Sequence, residues 1–152
     1  MILSGAKQLS LDDKGRFAIP IKYRLALGDK EVVLTAYPHG PRRRLVLYPK
    51  LAWLAMAERL AGLPPFKKET ETFQHLLIGY ADHCEVDNAG RVLIAPILRQ
   101  FAALDKDLML VGQGNRFELW NLERWREQES VYLQNSATTD WSLPPELEGF
   151  LM

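Results

Sequence analysis

Two arginines in the same local context are the residues of this sequence best suited to chemistry. Arg16 and Arg91 each end a D-x-x-G-R motif, in which Asp12 and Asp87 stand four residues earlier. A guanidinium can bond guanine, or clamp a phosphate, through two parallel N–H donors. The aspartates could orient the arginines by ion pairs. The doubled motif thus indicates two equivalent cationic contacts; the plainer alternative is that each arginine only pairs with its own aspartate.

The motif also predicts the backbone that carries these arginines. Aspartate at the first position and glycine at the fourth favour a type I turn. Gly15 and Gly90 would supply the positive φ of the bulge that closes a tight hairpin. We therefore expect Arg16 and Arg91 to project from the tips of two equivalent hairpins, and a two-stranded ribbon fits the DNA major groove. Turn formation alone would also explain the aspartate and the glycine.

Further cations accompany the first motif. Lys14 and Lys22 add positive charge there, whereas the second motif has apolar residues at the matching positions and should make the weaker contact. A separate cluster, Arg42, Arg43 and Arg44, is a candidate phosphate-binding patch. The alternative for this cluster is an ordinary solvated loop.

Both motifs belong to a longer internal repeat. Residues 12–24 match residues 87–99 at a constant offset of 75 positions, and the following apolar runs match at offsets of 76 and 72. Two copies are too few for a solenoid, so we expect a pseudo-symmetric pair that closes one shared core. The expected division is repeat 1 at 8–53, linker helices at 54–82, repeat 2 at 83–126, and a C-terminal helix end and tail at 127–152.

Local patterns predict the elements of each copy as strand, turn, strand, short helix, strand, strand, helix. Proline suits the first turn of each short helix, at Pro20 and Pro96, and the first should end near Leu27. Strands are predicted at 31–35, 45–48, 107–111 and 117–120. Longer helices are predicted from Pro49 to Gly62, from Phe66 to Tyr80, and from an N-cap at Asn121, the last burying Leu122, Trp125, Tyr132 and Leu133. Residues 135–152 read as a tail whose apolar side chains either dock a neighbour or stay disordered: Trp141, Leu143, Phe150 and Leu151.

Composition narrows the class of protein. Nineteen basic and nineteen acidic residues cancel over 152 positions, but residues 1–50 carry an excess of six positive charges and residues 51–152 an excess of six negative ones. A basic third can present a polyanion-binding face on a neutral molecule; chance segregation of solvated charges is the alternative. No run approaches the roughly 20 apolar residues of a membrane span, and the first seven residues lack the basic-then-apolar layout of a signal peptide. We expect a cytoplasmic protein that does not bind a membrane.

No residue pattern indicates an enzyme or a metal protein. His83, Cys84 and Asp87 fall within five residues, but no C-x-x-C or H-E-x-x-H spacing accompanies them. No serine has a matching histidine and aspartate pattern, so no nucleophile is assigned. We therefore expect no catalysis, no metal, no cofactor and no small-molecule substrate.

The doubled D-x-x-G-R resembles the DxxxR motif of the MraZ family, transcriptional regulators built from two AbrB-type repeats. The likeness covers about residues 1–130. The matching stretches are LDDKGRFAIPIKYR at 11–24, LVLYP at 45–49, VDNAGRVLIAPILR at 86–99 and LVGQGNRFELW at 110–120.

The resemblance implies an α+β, mainly β fold: a pseudo-symmetric double swapped-hairpin (AbrB-like) β-barrel with flanking helices. It implies a homo-oligomeric ring, octameric in typical members, that binds double-stranded DNA and is associated with the nucleoid. It also implies that the ring represses the division and cell-wall gene cluster. DNA contact then falls on Arg16 and Arg91, with Asp12 and Asp87 in support. Because a ring presents many weak contacts, we expect it to bind several short direct repeats in its own promoter.

Two other classes of protein remain open on the sequence. One is an AbrB-type antitoxin, which would bind DNA and also use its acidic C-terminal part and apolar tail to hold a protein partner. The other is a non-enzymatic assembly protein whose hairpins form subunit interfaces and which does not bind DNA.

Overall fold

The computed structural model describes residues 2–28, 30–138 and 142–151. These ranges form an α+β fold, as the sequence predicts, with eight strands and six helices. The strands are β1 Ala6–Ser10, β2 Arg16–Ala18, β3 Glu31–Tyr37, β4 Arg44–Pro49, β5 Asp82–Glu85, β6 Arg91–Leu93, β7 Asp107–Gly112 and β8 Phe117–Asn121. The helices are α1 Ile21–Leu27, α2 Lys50–Ala61, α3 Lys68–Phe73, α4 Pro96–Phe101, α5 Leu122–Ser136 and α6 Pro145–Leu151, with a 3₁₀ turn at Gly40–Arg42 and a π-helical turn at Gln74–Ile78.

Six strands form one antiparallel sheet in which the two copies of the repeat interleave. The strand order is β1-β7-β8-β4-β3-β5. β1 of the first copy pairs with β7 of the second, and β5 of the second copy pairs with β3 of the first. A pseudo-two-fold axis therefore lies between the central strands β4 and β8. This exchange of first strands is the swapped-hairpin arrangement that the resemblance implies.

The remaining two strands form a separate ribbon, and here the prediction of a tight hairpin within each copy is wrong. β2 pairs with β6 of the other copy, with Phe17 opposite Val92. Beyond the strands, the Ile19 N–H donates to the Gly90 carbonyl at 2.8 Å, and the Ile94 N–H donates to the Gly15 carbonyl at 2.9 Å. A lone pair of strands is at best marginally stable in water, so this three-residue ribbon depends on packing against the rest of the fold.

The main core packs the β2–β6 ribbon and the short helices α1 and α4 against the six-stranded sheet. Ile19 and Ile94 occupy equivalent positions in the repeat, and both are fully buried. Burial of each such side chain stabilises the fold by about 1.5–3 kcal/mol. Fully buried partners come from both copies of the repeat: Leu34, Leu45, Leu47, Leu98, Leu108, Leu110, Phe117 and Leu119. The main core is therefore shared by the two copies.

The other face of the sheet differs between the copies. In the first copy it is covered by α2 and the π-helical turn, where the Trp53 Nε1–H donates to the Leu77 carbonyl at 3.4 Å. In the second copy α5 packs against β7 and β8 on this face, where the centre of the Trp125 ring lies 5.7 Å from the centre of the Trp120 ring. A buried ion pair joins the two copies beside them, with Arg44 Nε 3.2 Å from Glu118 Oε2. The Arg44 guanidinium also lies 4.8 Å from the centre of a Trp120 ring. A polar network thus links the two central strands.

Several local predictions need correction. The linker helix begins at Lys68, so Phe66 lies outside it with 91% of its surface exposed. Helix α5 buries Leu122 but leaves Tyr132 and Leu133 50% and 62% exposed, because its last two turns extend beyond the sheet. Residues 145–151, predicted as tail, form helix α6. Trp141 lies outside the described residues.

We expect Glu118→Ala to destabilise the fold by about 3–5 kcal/mol, because it leaves the Arg44 guanidinium buried without its carboxylate. Urea unfolding followed by circular dichroism measures the change. The matched control is Lys50→Ala, which removes an exposed pair with Glu31 at 3.3 Å and should cost about 1 kcal/mol or less. Equal losses in the two variants would contradict the role given to the buried pair.

Candidate nucleic-acid interface

Each D-x-x-G-R turn holds its arginine through one carboxylate. Asp12 Oδ1 accepts from the backbone N–H groups of Lys14 at 2.9 Å and Arg16 at 2.8 Å, and Oδ2 accepts from Arg16 Nε at 2.8 Å. Asp87 forms the same set in the second turn, including a 2.8 Å bond from Arg91 Nε. Since one carboxylate holds both the backbone and the side chain of the arginine, the turn sets the direction of the guanidinium.

The turn glycines are required by the backbone. Gly15 has φ +83° and Gly90 has φ +78°, a region in which residues with a Cβ are strained. The Gly15 N–H donates to the Asp12 carbonyl at 3.0 Å, and the Asp12 N–H donates to the Arg16 carbonyl at 2.8 Å. The predicted turns are therefore present, although the strands that leave them pair with the other copy.

Both arginines lie on one face of the β2–β6 ribbon rather than on two separate tips. Arg16 stands opposite Leu93 and Arg91 stands opposite Ala18, so the arginines are diagonal neighbours, whose backbones are typically about 7–8 Å apart. Their side chains keep 27% and 42% of their surface exposed, whereas Phe17 on the opposite face is buried. The exchange of strands thus brings two oriented guanidinium groups together on one exposed surface.

Two further arginines support the turns, and the sequence motifs left them without a role. A Cβ at Gly15 would lie 3.0 Å from the guanidinium carbon of Arg99, and a Cβ at Gly90 would lie 2.5 Å from that of Arg24. Each guanidinium therefore covers the turn of the other copy. Arg24 Nε also donates to the Ile19 carbonyl at 2.9 Å. The sequence does indicate that the two arginines are equivalent, since both follow their turn glycine at the same distance.

The lysines predicted near the first motif lie at the surface. Lys14 is an exposed residue of the first turn, two positions before Arg16. Lys22 is exposed on α1, directly after the ribbon, and its Nζ lies 5.0 Å from the centre of the Tyr23 ring. The structure also brings a lysine to the second turn, where Lys30 Nζ donates to Asn88 Oδ1 at 3.4 Å.

The structure divides the arginine cluster at 42–44. Arg44 is buried beside Glu118 and cannot belong to an exposed phosphate-binding patch, because its position at the start of β4 directs it into the polar network. Arg43 is exposed, with its guanidinium 5.1 Å from the centre of the Phe101 ring. Arg42 is partly exposed. A patch in this loop therefore reduces to Arg42 and Arg43.

The turn hydrogen bonds change the acidity of both aspartates. The backbone N–H of Arg16 is the main cause that lowers the pKa of Asp12 below its usual 3.8, and the bond from the Arg16 side chain adds to it against a partial desolvation that raises it. The pKa of Asp87 is lowered in the same way by Arg91. Both carboxylates are therefore charged at neutral pH and remain acceptors for their arginines.

The described residues offer little for other chemistry. They contain no group of three or more histidine, cysteine or acidic side chains placed to hold a metal. The His83 ring lies edge-on to Trp53, with centroids 5.0 Å apart, and burial raises the pKa of the Cys84 thiol to about 12, so that thiol stays protonated. Among the helices of these residues, none is both long enough and apolar enough to cross a bilayer.

We expect the aspartates to stabilise the fold above about pH 4 and to lose that contribution as the pH falls through their lowered folded-state pKa values. Asp12→Asn combined with Asp87→Asn should therefore reduce the loss of stability between pH 6 and pH 3. Thermal unfolding at the two pH values measures this. Asp13→Asn is the control, since the Asp13 carboxylate has no hydrogen bond within the described residues. Identical pH dependence in the double variant and the control would refute the prediction.

Comparison with known proteins matches most of the chain to one family. The family model described as "MraZ protein, putative antitoxin-like" matches twice, at residues 2–76 and 77–142. Each match contains one D-x-x-G-R turn. The solution structure of PHS018 from Pyrococcus horikoshii aligns over 75% of this chain and 94% of that one, with 12% identity and a TM-score of 0.37, a likeness too slight to bear on the fold.

Curated relatives agree with the family model. A protein of Methylobacillus flagellatus named "Transcriptional regulator MraZ" is 44% identical over 149 residues, covering 96% of this chain and 97% of its own. Proteins of the same name from Azoarcus sp. strain BH72 (44% identity, 99% of this chain, 100% of that one) and Legionella pneumophila strain Corby (39%, 96% and 97%) are similar over their full lengths. The family model matches both halves of the chain, and the relatives are similar to it over nearly its whole length. The chain therefore belongs to the MraZ family.

Proposed function

We propose that this chain is a DNA-binding transcriptional regulator that reads the major groove with its β2–β6 ribbon. The name shared by its relatives supports the regulatory role. The observation that carries the DNA-binding part is that Arg16 and Arg91 lie on one exposed face of a two-stranded antiparallel ribbon, each oriented by a carboxylate. A ribbon of this kind fits the width of the B-DNA major groove.

The bonding of the two arginines suits direct readout of guanine. Within the described residues, Arg16 and Arg91 each use Nε for the aspartate, which leaves the terminal nitrogens of each guanidinium without a protein acceptor. A guanidinium can donate two bonds to guanine O6 and N7. Because the aspartate already restricts the side chain, binding costs less conformational entropy than ordering a free arginine would.

The charged surroundings supply contacts to the phosphates. Lys14 and Lys22 lie at the first motif and would position the ribbon without reading sequence. Arg42 and Arg43 are further candidates for phosphate contact. Because the second motif lacks matching lysines, Arg91 contributes less to affinity than Arg16. Arg24 and Arg99 support the interface indirectly by covering the turns.

Affinity in this proposal comes from many weak contacts. The chain assembles into a homo-oligomeric ring, octameric as in typical members of the family, and each subunit presents one ribbon. Linking binding sites in this way can raise avidity by roughly 10²–10⁴ without new contact types. The ring therefore binds several short direct repeats at helical spacing and binds a single repeat poorly.

The proposed target is the promoter of the chain's own operon. By analogy with the family resemblance, the ring occupies repeats upstream of the division and cell-wall gene cluster and represses that cluster. This places the protein in the cytoplasm, associated with the nucleoid. The proposal includes no catalysis, cofactor or small-molecule substrate.

We expect Arg16→Ala to abolish sequence-specific binding to the DNA upstream of its own gene, and Arg91→Ala to weaken it less. Each lost bidentate contact costs about 1–3 kcal/mol of discrimination, and the loss recurs in every bound subunit. Fluorescence anisotropy with labelled DNA measures affinity, and light scattering checks that the oligomer is intact. Arg126→Ala, at an exposed position of α5, is the matched control. Normal operator binding by the Arg16 variant would exclude that residue from the interface.

A second test varies the number of repeats and the salt concentration. Affinity should rise steeply from one to two to three repeats, and log Kd should change with log salt by about 0.9 for each phosphate neutralised. Equal affinity for all three DNAs would refute the avidity mechanism. Absence of any salt-dependent DNA binding would favour the assembly protein, and a co-purifying protein that is lost on truncation after Gln134 would favour the antitoxin.

A further inference from the structure

Helix α6 is an amphipathic segment on the surface of the fold. All of its side chains are exposed, including Leu147, Phe150 and Leu151. Their i, i+3, i+4 spacing places them on one stripe of the helix, about 100° wide. Glu146 and Glu148 border this stripe on its two sides. The helix therefore presents a short apolar stripe with a negative charge along each edge.

An apolar groove elsewhere on the fold has the complementary character. It has a volume of about 630 Å³ and lies between α2, the linker helices and the strands of the first copy. Its apolar walls include Tyr37, Met56, Leu60 and Phe73. Grooves of this kind accept an amphipathic helix through anchors at i, i+3 and i+4.

The charges of the groove are opposite to those of the helix. Its charged lining residues are two arginines, Arg59 on α2 and Arg116 in the turn between β7 and β8, and no acidic side chain lines it among the described residues. Arg116 Nε has no hydrogen-bond acceptor in the described part of the chain, while Nη1 donates to Asn115 Oδ1 at 3.2 Å and Nη2 lies 4.0 Å from Glu118 Oε2. Two arginines on separate elements match two glutamates on either side of one apolar stripe.

The end of α5 is exposed before the chain reaches α6. Residues 129–136, the last two turns of α5, are exposed on all sides. At 1.5 Å of rise for each residue, this part extends about 12 Å beyond the packed part of the helix. The segment that carries α6 therefore starts out in solvent, where a second molecule can meet it.

We propose that α6 of one chain docks in the α2 groove of a second copy, with Leu147, Phe150 and Leu151 as anchors and with Glu146 and Glu148 facing Arg59 and Arg116. The contact joins two different patches, so each molecule can give one helix and receive another. Such head-to-tail contacts close into rings or continue as filaments, depending on the rotation between neighbours. The contact deepens the assembly part of the proposed function and does not depend on DNA binding.

Disulfide trapping between separately purified variants tests the contact. Ala55→Cys places a thiol on the exposed edge of the groove, and Phe150→Cys places one on the stripe; both are made with Cys84→Ser. On mixing and mild oxidation, the two should form a disulfide-linked heterodimer. The control replaces Ala55→Cys with Leu51→Cys, at an exposed position of α2 that does not line the groove. No heterodimer, or as much heterodimer with the control, overturns the proposal.

Self-association measured without DNA tests the energetics. Phe150→Ala should weaken assembly by about 30-fold, as expected for an aromatic anchor, and Arg59→Glu should weaken it until combined with Glu146→Lys and Glu148→Lys. Sedimentation across a concentration series gives the mass, and circular dichroism confirms the fold. Unchanged mass in both Phe150→Ala and Arg59→Glu overturns the proposal. A chain that carries both Ala55→Cys and Phe150→Cys and forms only an intramolecular disulfide overturns it as well. DNA binding by the same variants is scored separately, so the two proposals can fail independently.

Discussion

The pairing of β2 with β6 is the constraint on which the rest of the structure depends. Each strand has only three residues, and its central apolar side chain is buried because the other copy covers it. The pairs Ile19 to Gly90 and Ile94 to Gly15 extend the ribbon at both ends. Because every one of these bonds crosses from one copy to the other, neither repeat can complete its ribbon or the main core alone.

That exchange also builds the candidate interface. The D-x-x-G-R turn is a local structure, and it would orient an arginine wherever it occurred. Only the crossing of the copies places Arg16 and Arg91 on the same face, as diagonal neighbours related by the pseudo-two-fold axis. It also brings Arg24 and Arg99 against the turns of the opposite copies. The rigidity of the ribbon and the direction of its cations thus have one common origin.

The two copies share this interface but have diverged elsewhere. The first copy covers the outer face of its strands with α2 and the π-helical turn, whereas the second packs α5 against β7 and β8 there. Lys14 and Lys22 occur only in the first motif. The copies therefore differ around the groove beside α2, which Arg59 and Arg116 line.

Much of this protein could be predicted from its sequence, because much of it is local. The turns at 12–16 and 87–91, the helix after Pro20, the strands of the sheet and the ion pairs of Asp12 and Asp87 all follow from residues a few positions apart. The choice of strand partner does not, because it joins residues far apart along the chain, such as Phe17 and Val92. The shared face of Arg16 and Arg91, the burial of Arg44 and the roles of Arg24 and Arg99 all depend on that choice. Only the tertiary structure decides it, since closing one core from both copies buries apolar surface that neither copy could bury by itself.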